Sequence, residues 1–153
     1  MRHGSNSKTI NAMNKISFNE VPGAYVLCAV SDCPMASHCL RQMAMQVLDK
    51  SIRLVTIVNP QQTQPSEACG FYRSDEPQVF ARGFASMQEE MLPRQYSVFM
   101  NRLKGRFGRT GYFERRRGER LCSPSDIAFI KEVLADLGLS HLSFDGFVEQ
   151  YNW

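Results

Sequence analysis

The chain has 153 residues, 43% of them hydrophobic and 22% charged, which suits one globular domain with one core that folds without disulfides. No apolar run nears the roughly 20 residues of a bilayer-spanning helix, and the opening MRHGSNSKTINAMNK lacks the apolar centre of a secretory signal, so a cytoplasmic protein with no membrane partner is expected. The net charge of +3 conceals a basic block, because Arg94 to Arg120 holds nine Arg or Lys residues against Glu114 and Glu119, a local +7 that leaves −4 for the rest.

Residues 1–14 are polar and aperiodic and are expected to form a disordered tail, with Met13 a candidate start of the functional chain and a single globular domain over 15–153. Val21-Pro22-Gly23 marks a turn before the apolar stretch Ala24 to Val30. A helix is predicted from Pro34, since proline suits the first helical turn and Ser31 or Asp32 supplies a capping oxygen. Ala36, Leu40, Met43, Ala44 and Val47 follow at helical spacing, and Asp49 and Lys50 close the element. Arg53 to Val58 has the β-branched content of a buried strand, ended by Asn59-Pro60.

After a polar loop over Gln61 to Ala68, Cys69 opens an ordered stretch and Gln78 to Arg82 reads as a second strand. Phe84 to Leu92 reads as a short helix broken at Pro93. Tyr96, Phe99, Leu103 and Phe107 then form the apolar stripe of a longer helix, with Gly108 suited to its C-terminal cap. Gly111 to Arg120 is predicted as a strand entering a turn at Gly118. The strongest local signal is Ser123-Pro124-Ser125-Asp126, a capping serine, a first-turn proline and an acid three residues after the cap. It opens a helix with Ile127, Ile130, Leu134 and Leu137 on one face and Gly138 as its stop. The aromatic stretch Phe144 to Trp153 is expected to dock. The fold class expected is α+β, a compact, helix-rich single domain with a few short strands.

Cys28, Cys33, Cys39 and Cys69 form the pattern C-x4-C-x5-C-x29-C. In a reducing compartment such spacing is read as metal-binding or incidental, not as a disulfide framework. Three soft ligands within a dozen residues converge on one ion if a loop leads into a helix, with the fourth arriving from a distant loop. Thiolate sulfur suits zinc or an iron–sulfur cluster. Cys33, near the expected helix start, would gain thiolate character from the helix dipole. The spacing is neither the paired CxxC of a zinc ribbon nor a ferredoxin run, and the plain alternative is four small buried hydrophobes. His38 is a possible substitute ligand. Cys122, beside the helix cap, is a candidate for a lowered pKa, while His141 reads as structural. No GxSxG, phosphate-binding glycine loop or HExxH occurs, so nothing in the sequence announces an enzyme.

In the basic block, Arg102, Lys104, Arg106, Arg109, Arg115, Arg116, Arg117 and Arg120 are candidate phosphate contacts, with Tyr112 or Phe113 stacking on a base. The pI near 8.7 is below that of most dedicated nucleic-acid binders. A solvated helix face with a charged hairpin would give the same composition.

Val21-Pro22, Cys28, Cys33-Pro34, Cys39-Leu40-Arg41, Asn59-Pro60, Cys69-Gly70-Phe71-Tyr72-Arg73, Phe107-Gly108-Arg109, Tyr112 and Arg116-Arg117-Gly118-Glu119-Arg120 occur in this order. Taken together, the sequence resembles a family of small bacterial proteins of unknown function found in intestinal anaerobes, over Met13 to Trp153. The resemblance implies a bacterial cytoplasmic protein and supplies no activity, substrate or catalytic residue.

Three functions are therefore expected to compete. The first is a metal-stabilised module that binds nucleic acid or an acidic protein partner. The second is an iron–sulfur redox or sensor protein, and the third is a structural partner-binding protein with unmetallated cysteines.

Overall fold

The computed structural model describes residues 16–153; the tail expected over 1–14 and the candidate start at Met13 lie outside the described residues. The chain is helix-rich α+β, and it divides into two compact units, one of residues up to Glu76 with Tyr151–Trp153 and the other of Pro77–Gln150. Where length alone suggested one core, the buried apolar residues form two clusters, one in each unit.

In the first unit, α1 (Leu40–Gln46) supplies Leu40, Met43 and Ala44 to a cluster with Ile16 and Leu27. Tyr151 and Trp153 pack against this cluster, and Trp153 meets Tyr25 edge-on at 5.1 Å between ring centres. The docking expected of the aromatic C-terminus is therefore present.

The helix predicted from Pro34 begins later than expected. Ala36–His38 is one 3-10 turn, Cys39 is extended, and regular α-helix starts at Leu40. The reason is non-local. The Leu40 N–H donates to the Arg73 carbonyl at 2.7 Å, and the Asp75 N–H donates to the His38 carbonyl at 3.1 Å. Cys39 bridges Ser74 in antiparallel fashion. Backbone groups that would have continued a helix toward Pro34 are engaged by the 73–75 segment.

The strand predicted over Arg53 to Val58 is present only as a single parallel bridge between Leu27 and Ile57. Val58 alone of the six is buried, and Leu54 is 91% exposed. A β-branched run becomes a buried strand only where partners flank it, and Leu27 is the one partner found among the described residues.

The second unit follows the sequence more closely. β1 (Gln78–Arg82) falls where expected and pairs antiparallel with β2 (Gly146–Gln150), with Phe80 opposite Val148. β2 was not expected as a strand. The stretch expected as a short helix is a 3-10 helix over Ala85–Glu90. α2 (Pro93–Arg116) opens with proline in its first turn, and the Gln95 side chain accepts from the Leu92 N–H at 2.9 Å.

Gly108, at φ 71°, interrupts α2 as a cap would, but a second helical segment resumes and runs to Arg116. The strand expected from Gly111 is therefore helix. Its buried Gly111 and Tyr112 serve the same core as Phe99 and Leu103, and Tyr112 packs on Phe84 with ring centres 5.7 Å apart.

α3 (Pro124–Asp136) bears out the capping signal: the Ser123 hydroxyl accepts from the Asp126 N–H at 3.2 Å, and the Asp126 carboxylate accepts from the Ser123 N–H at 3.2 Å. Ile130, Val133 and Leu134 are buried, and Gly138, at φ 71°, ends the element. Among the described residues no helix is long and apolar enough to cross a membrane.

Candidate metal centre

Cys28, Cys33, Cys39 and Cys69 reach one place from separate stretches of the first unit. Cys28 follows Leu27, which is held by bonds from its own N–H to the Thr56 carbonyl and from the Val58 N–H to its carbonyl. Cys33 lies in a turn whose carbonyl accepts from the Ala36 N–H at 3.2 Å. It therefore does not sit at an α-helix N-terminus, and the dipole effect expected for it does not apply. Cys39 directly precedes α1, and its carbonyl accepts from the Gln42 and Met43 N–H groups. Cys69 lies in a turn closed by the Tyr72 N–H on its carbonyl at 3.1 Å.

All four line a single cavity of about 20 Å³, together with Met35, Arg41, Gln42, Phe71 and Tyr72. All four are free thiols, Cys28 and Cys39 buried, Cys33 and Cys69 half-buried. A space of that size admits about one water-sized particle, which suits a single ion better than an iron–sulfur cluster with its several metal and sulfide atoms. Four soft donors are the right set for zinc or a similar cation. Among the described residues, however, no three His, Cys, Asp or Glu side chains are placed to hold a metal ion. The thiols surround the cavity without closing on its centre.

Two side chains of α1 tie this region together, and neither was named from the sequence as a site residue. The buried Gln42 amide donates to Cys28 Sγ at 3.4 Å and to the Val30 carbonyl. Arg41 donates from Nε to the Phe71 carbonyl at 2.9 Å and from Nη1 to the Val26 carbonyl at 2.6 Å. The sequence hints were their position, two and three residues after Cys39, and for Arg41 its place in the Cys39-Leu40-Arg41 stretch that carries the family resemblance. His38 is mostly exposed, and its Nδ1 lies 3.4 Å from the buried Asp75 carboxylate; it is not among the residues that line the cavity.

In the second unit the basic residues are largely engaged within the protein. Arg102 pairs with Asp136 at 2.7 Å, Arg115 with Asp126 at 3.1 Å, Arg117 with Glu119 at 2.8 Å and Arg120 with Glu114 at 3.5 Å. Lys104 stands over the Tyr112 and Phe113 rings and Arg106 over Phe107 and Phe129, at 4.7–5.8 Å. Arg109 is exposed with no acidic partner among the described residues, and Arg116 is half-buried. Tyr112 is fully enclosed, its hydroxyl bonded to Gln88 at 2.7 Å, so it offers no face for stacking on a base. Phe113 is only partly buried.

Cys122 also departs from expectation. It is fully buried, and burial, reinforced by nearby Asp126, pushes its thiol up to about 12. The proximity to a helix cap gives it no reactive thiolate; it packs as a small core side chain.

No curated protein and no solved structure matches the chain. A family model described as "Family of unknown function (DUF6078)" matches residues 11–153, nearly the whole sequence, and the chain belongs to that family.

Proposed function

We propose that this is a metal-binding protein in which Cys28, Cys33, Cys39 and Cys69 hold one soft divalent cation of the zinc class. The observation that carries the reading is the convergence of four thiols, from stretches on both sides of α1, on one cavity of about 20 Å³. Inward rotation of the thiols to sulfur–metal distances of about 2.3 Å would complete the site, and the Gln42 amide already donates to one of the sulfurs. Donors of this kind stabilise metal-bound thiolates. The reducing interior of a bacterial cell, the setting that the family resemblance implies, would keep the four thiols available.

Elemental analysis of protein purified without oxygen tests the reading, together with titration by cobalt(II), whose thiolate charge-transfer absorption reports sulfur ligation. One equivalent of metal that is lost on Cys28→Ser or Cys69→Ser is expected. Metal-free protein that gives no charge-transfer band with cobalt would refute it. A brown protein carrying iron and sulfide would favour the redox or sensor alternative.

Nucleic-acid binding by the basic segment is the weaker reading, since most of its cations already face carboxylates or aromatic rings. Arg109 and Arg116 with the partly buried Phe113 remain its best contacts. Binding of RNA or DNA at low ionic strength that falls steeply with salt would support it, and its absence would remove it.

A further inference from the structure

We propose that Arg41 is the positioning residue of the thiol site, its guanidinium joining the backbone segments that carry Cys28 and Cys69 so that both sulfurs reach the same ion. The inference rests on the metal reading above and adds the residue that assembles the site.

The geometry is specific. Arg41 lies two residues after Cys39 and itself lines the cavity. Its Nε–H donates to the carbonyl of Phe71, two residues after Cys69, at 2.9 Å. Its Nη1–H donates to the carbonyl of Val26, two residues before Cys28, at 2.6 Å. The Arg41 carbonyl in turn accepts from the Cys28 N–H at 3.3 Å. One residue thus joins the two segments that carry Cys28 and Cys69 to its own, which carries Cys39. The guanidinium carbon also stands 5.0 Å from the centre of the Tyr25 ring, which packs edge-on against Trp153 and so backs the guanidinium.

Neither carbonyl belongs to a regular strand or helix, and the tie between the two loops runs through this side chain. A planar fork that binds two acceptors while stacking on a ring is a property of arginine; the single ammonium of lysine keeps the charge and loses the fork. The charge matters as well, because four thiolates around a divalent ion leave two net negative charges, and a half-buried guanidinium offsets part of that excess.

The test compares wild-type protein with Arg41→Lys in cobalt(II) titrations, reading affinity and the intensity of the thiolate charge-transfer band. Arg73→Lys is the control, since among the described residues that guanidinium donates only to the adjacent Tyr72 carbonyl. Arg41→Lys should bind about 10–100-fold more weakly, the usual cost of removing a group that orients metal ligands, and with a band reduced to fewer than four sulfurs, while Arg73→Lys keeps both. Arg41→Lys with wild-type affinity and band would overturn the inference and leave the metal reading standing. A wild-type protein with no thiolate band would overturn both.

If Arg41→Lys does not fold, the wild-type protein still decides the matter by NMR. The Arg41 Nε–H of the metal-loaded protein should exchange with water at least 10-fold more slowly than the Arg73 Nε–H, and equal rates would count against the proposal.

Discussion

Asp126 offers the sharpest test of the energetics in the second unit, because one carboxylate serves two structures. It closes the N-terminal cap of α3 by accepting from the Ser123 N–H, and its Oδ2 lies 3.1 Å from Arg115 Nε. The side chains of the pair are only 14% and 11% exposed, so this is closer to a buried ion pair than to a surface one. Asp126→Asn keeps an oxygen for the cap and removes the charge, leaving a guanidinium largely out of water. Breaking a buried pair in this way costs about 3–5 kcal/mol. Arg115 retains the Gly111 carbonyl at 3.3 Å and the Phe107 ring at 4.3 Å, which places the expected loss at the lower end, about 3 kcal/mol. Urea titration followed by circular dichroism would measure it. A double-mutant cycle with Arg115→Met, which keeps the apolar stem over Phe107, should give a coupling of about 2 kcal/mol. The coupling should survive in 1 M salt, because a buried pair is screened far less than an exposed one. Additivity within about 0.5 kcal/mol would show that the two groups do not sense each other and refute the reasoning.

Ser123→Ala leaves the ion pair intact and removes only the hydroxyl that caps α3; it should cost about 1 kcal/mol, and an unchanged urea midpoint would count against the cap. Gly108→Ala meets no atom within 4 Å, so its cost is that of forcing a Cβ to φ 71°, about 1–3 kcal/mol; a variant as stable as wild type would mean that the kink in α2 relaxes into continuous helix. For Cys122 the raised pKa means that the folded state prefers the protonated thiol. Its contribution is complete below the ordinary thiol pKa and is lost as pH rises from about 9 toward 12. Stability should therefore decline in that window less steeply in Cys122→Ala. At pH 8 the buried Cys122 thiol stays protonated, so iodoacetamide should label Cys33 and Cys69 well before it, and equal labelling would contradict its burial.

The parts of this structure that were legible in advance are those whose cause lies within a few residues. Ser123, Pro124 and Asp126 specify a helix start among themselves, and Gly138 ends the same element through its own backbone freedom. Gln78 to Arg82, a short apolar run of Val79, Phe80 and Ala81 between polar ends, was found as a strand. The readings that failed were decided from a distance. Pro34 is a sound first-turn residue, yet the backbone of residues 38–40 bonds to residues 73–75 and the helix starts at Leu40. The run from Arg53 to Val58 has strand composition without a sheet to join. Gly111 to Arg116 carries aromatic and charged residues that suit a strand, but the demand for Tyr112 in the core beside Phe84 and Phe99 keeps it helical.

The thiol site divides along the same line. A cysteine declares its chemistry by type, so the four candidates could be named from the sequence. Arg41 and Gln42 have no such signature, because what makes them matter is the carbonyl each one meets. For Arg41 those acceptors stand 15 residues before it and 30 after it. The consequence bears on how the site would behave. Thiols on loops without such ties would approach an ion only at the entropic cost of ordering each loop, roughly 1–2 kcal/mol for every backbone residue fixed. Here bonds from Arg41 and Gln42 already hold the loops on both sides of α1, so part of that cost falls on folding instead of on metal binding. Binding should then tighten the chain around the cavity without a large gain of secondary structure, and a far-ultraviolet circular dichroism spectrum that changes little on cobalt loading is the expected result. A large gain in helix on loading would show instead that the ion organises the loops, and that Arg41 follows the metal into place.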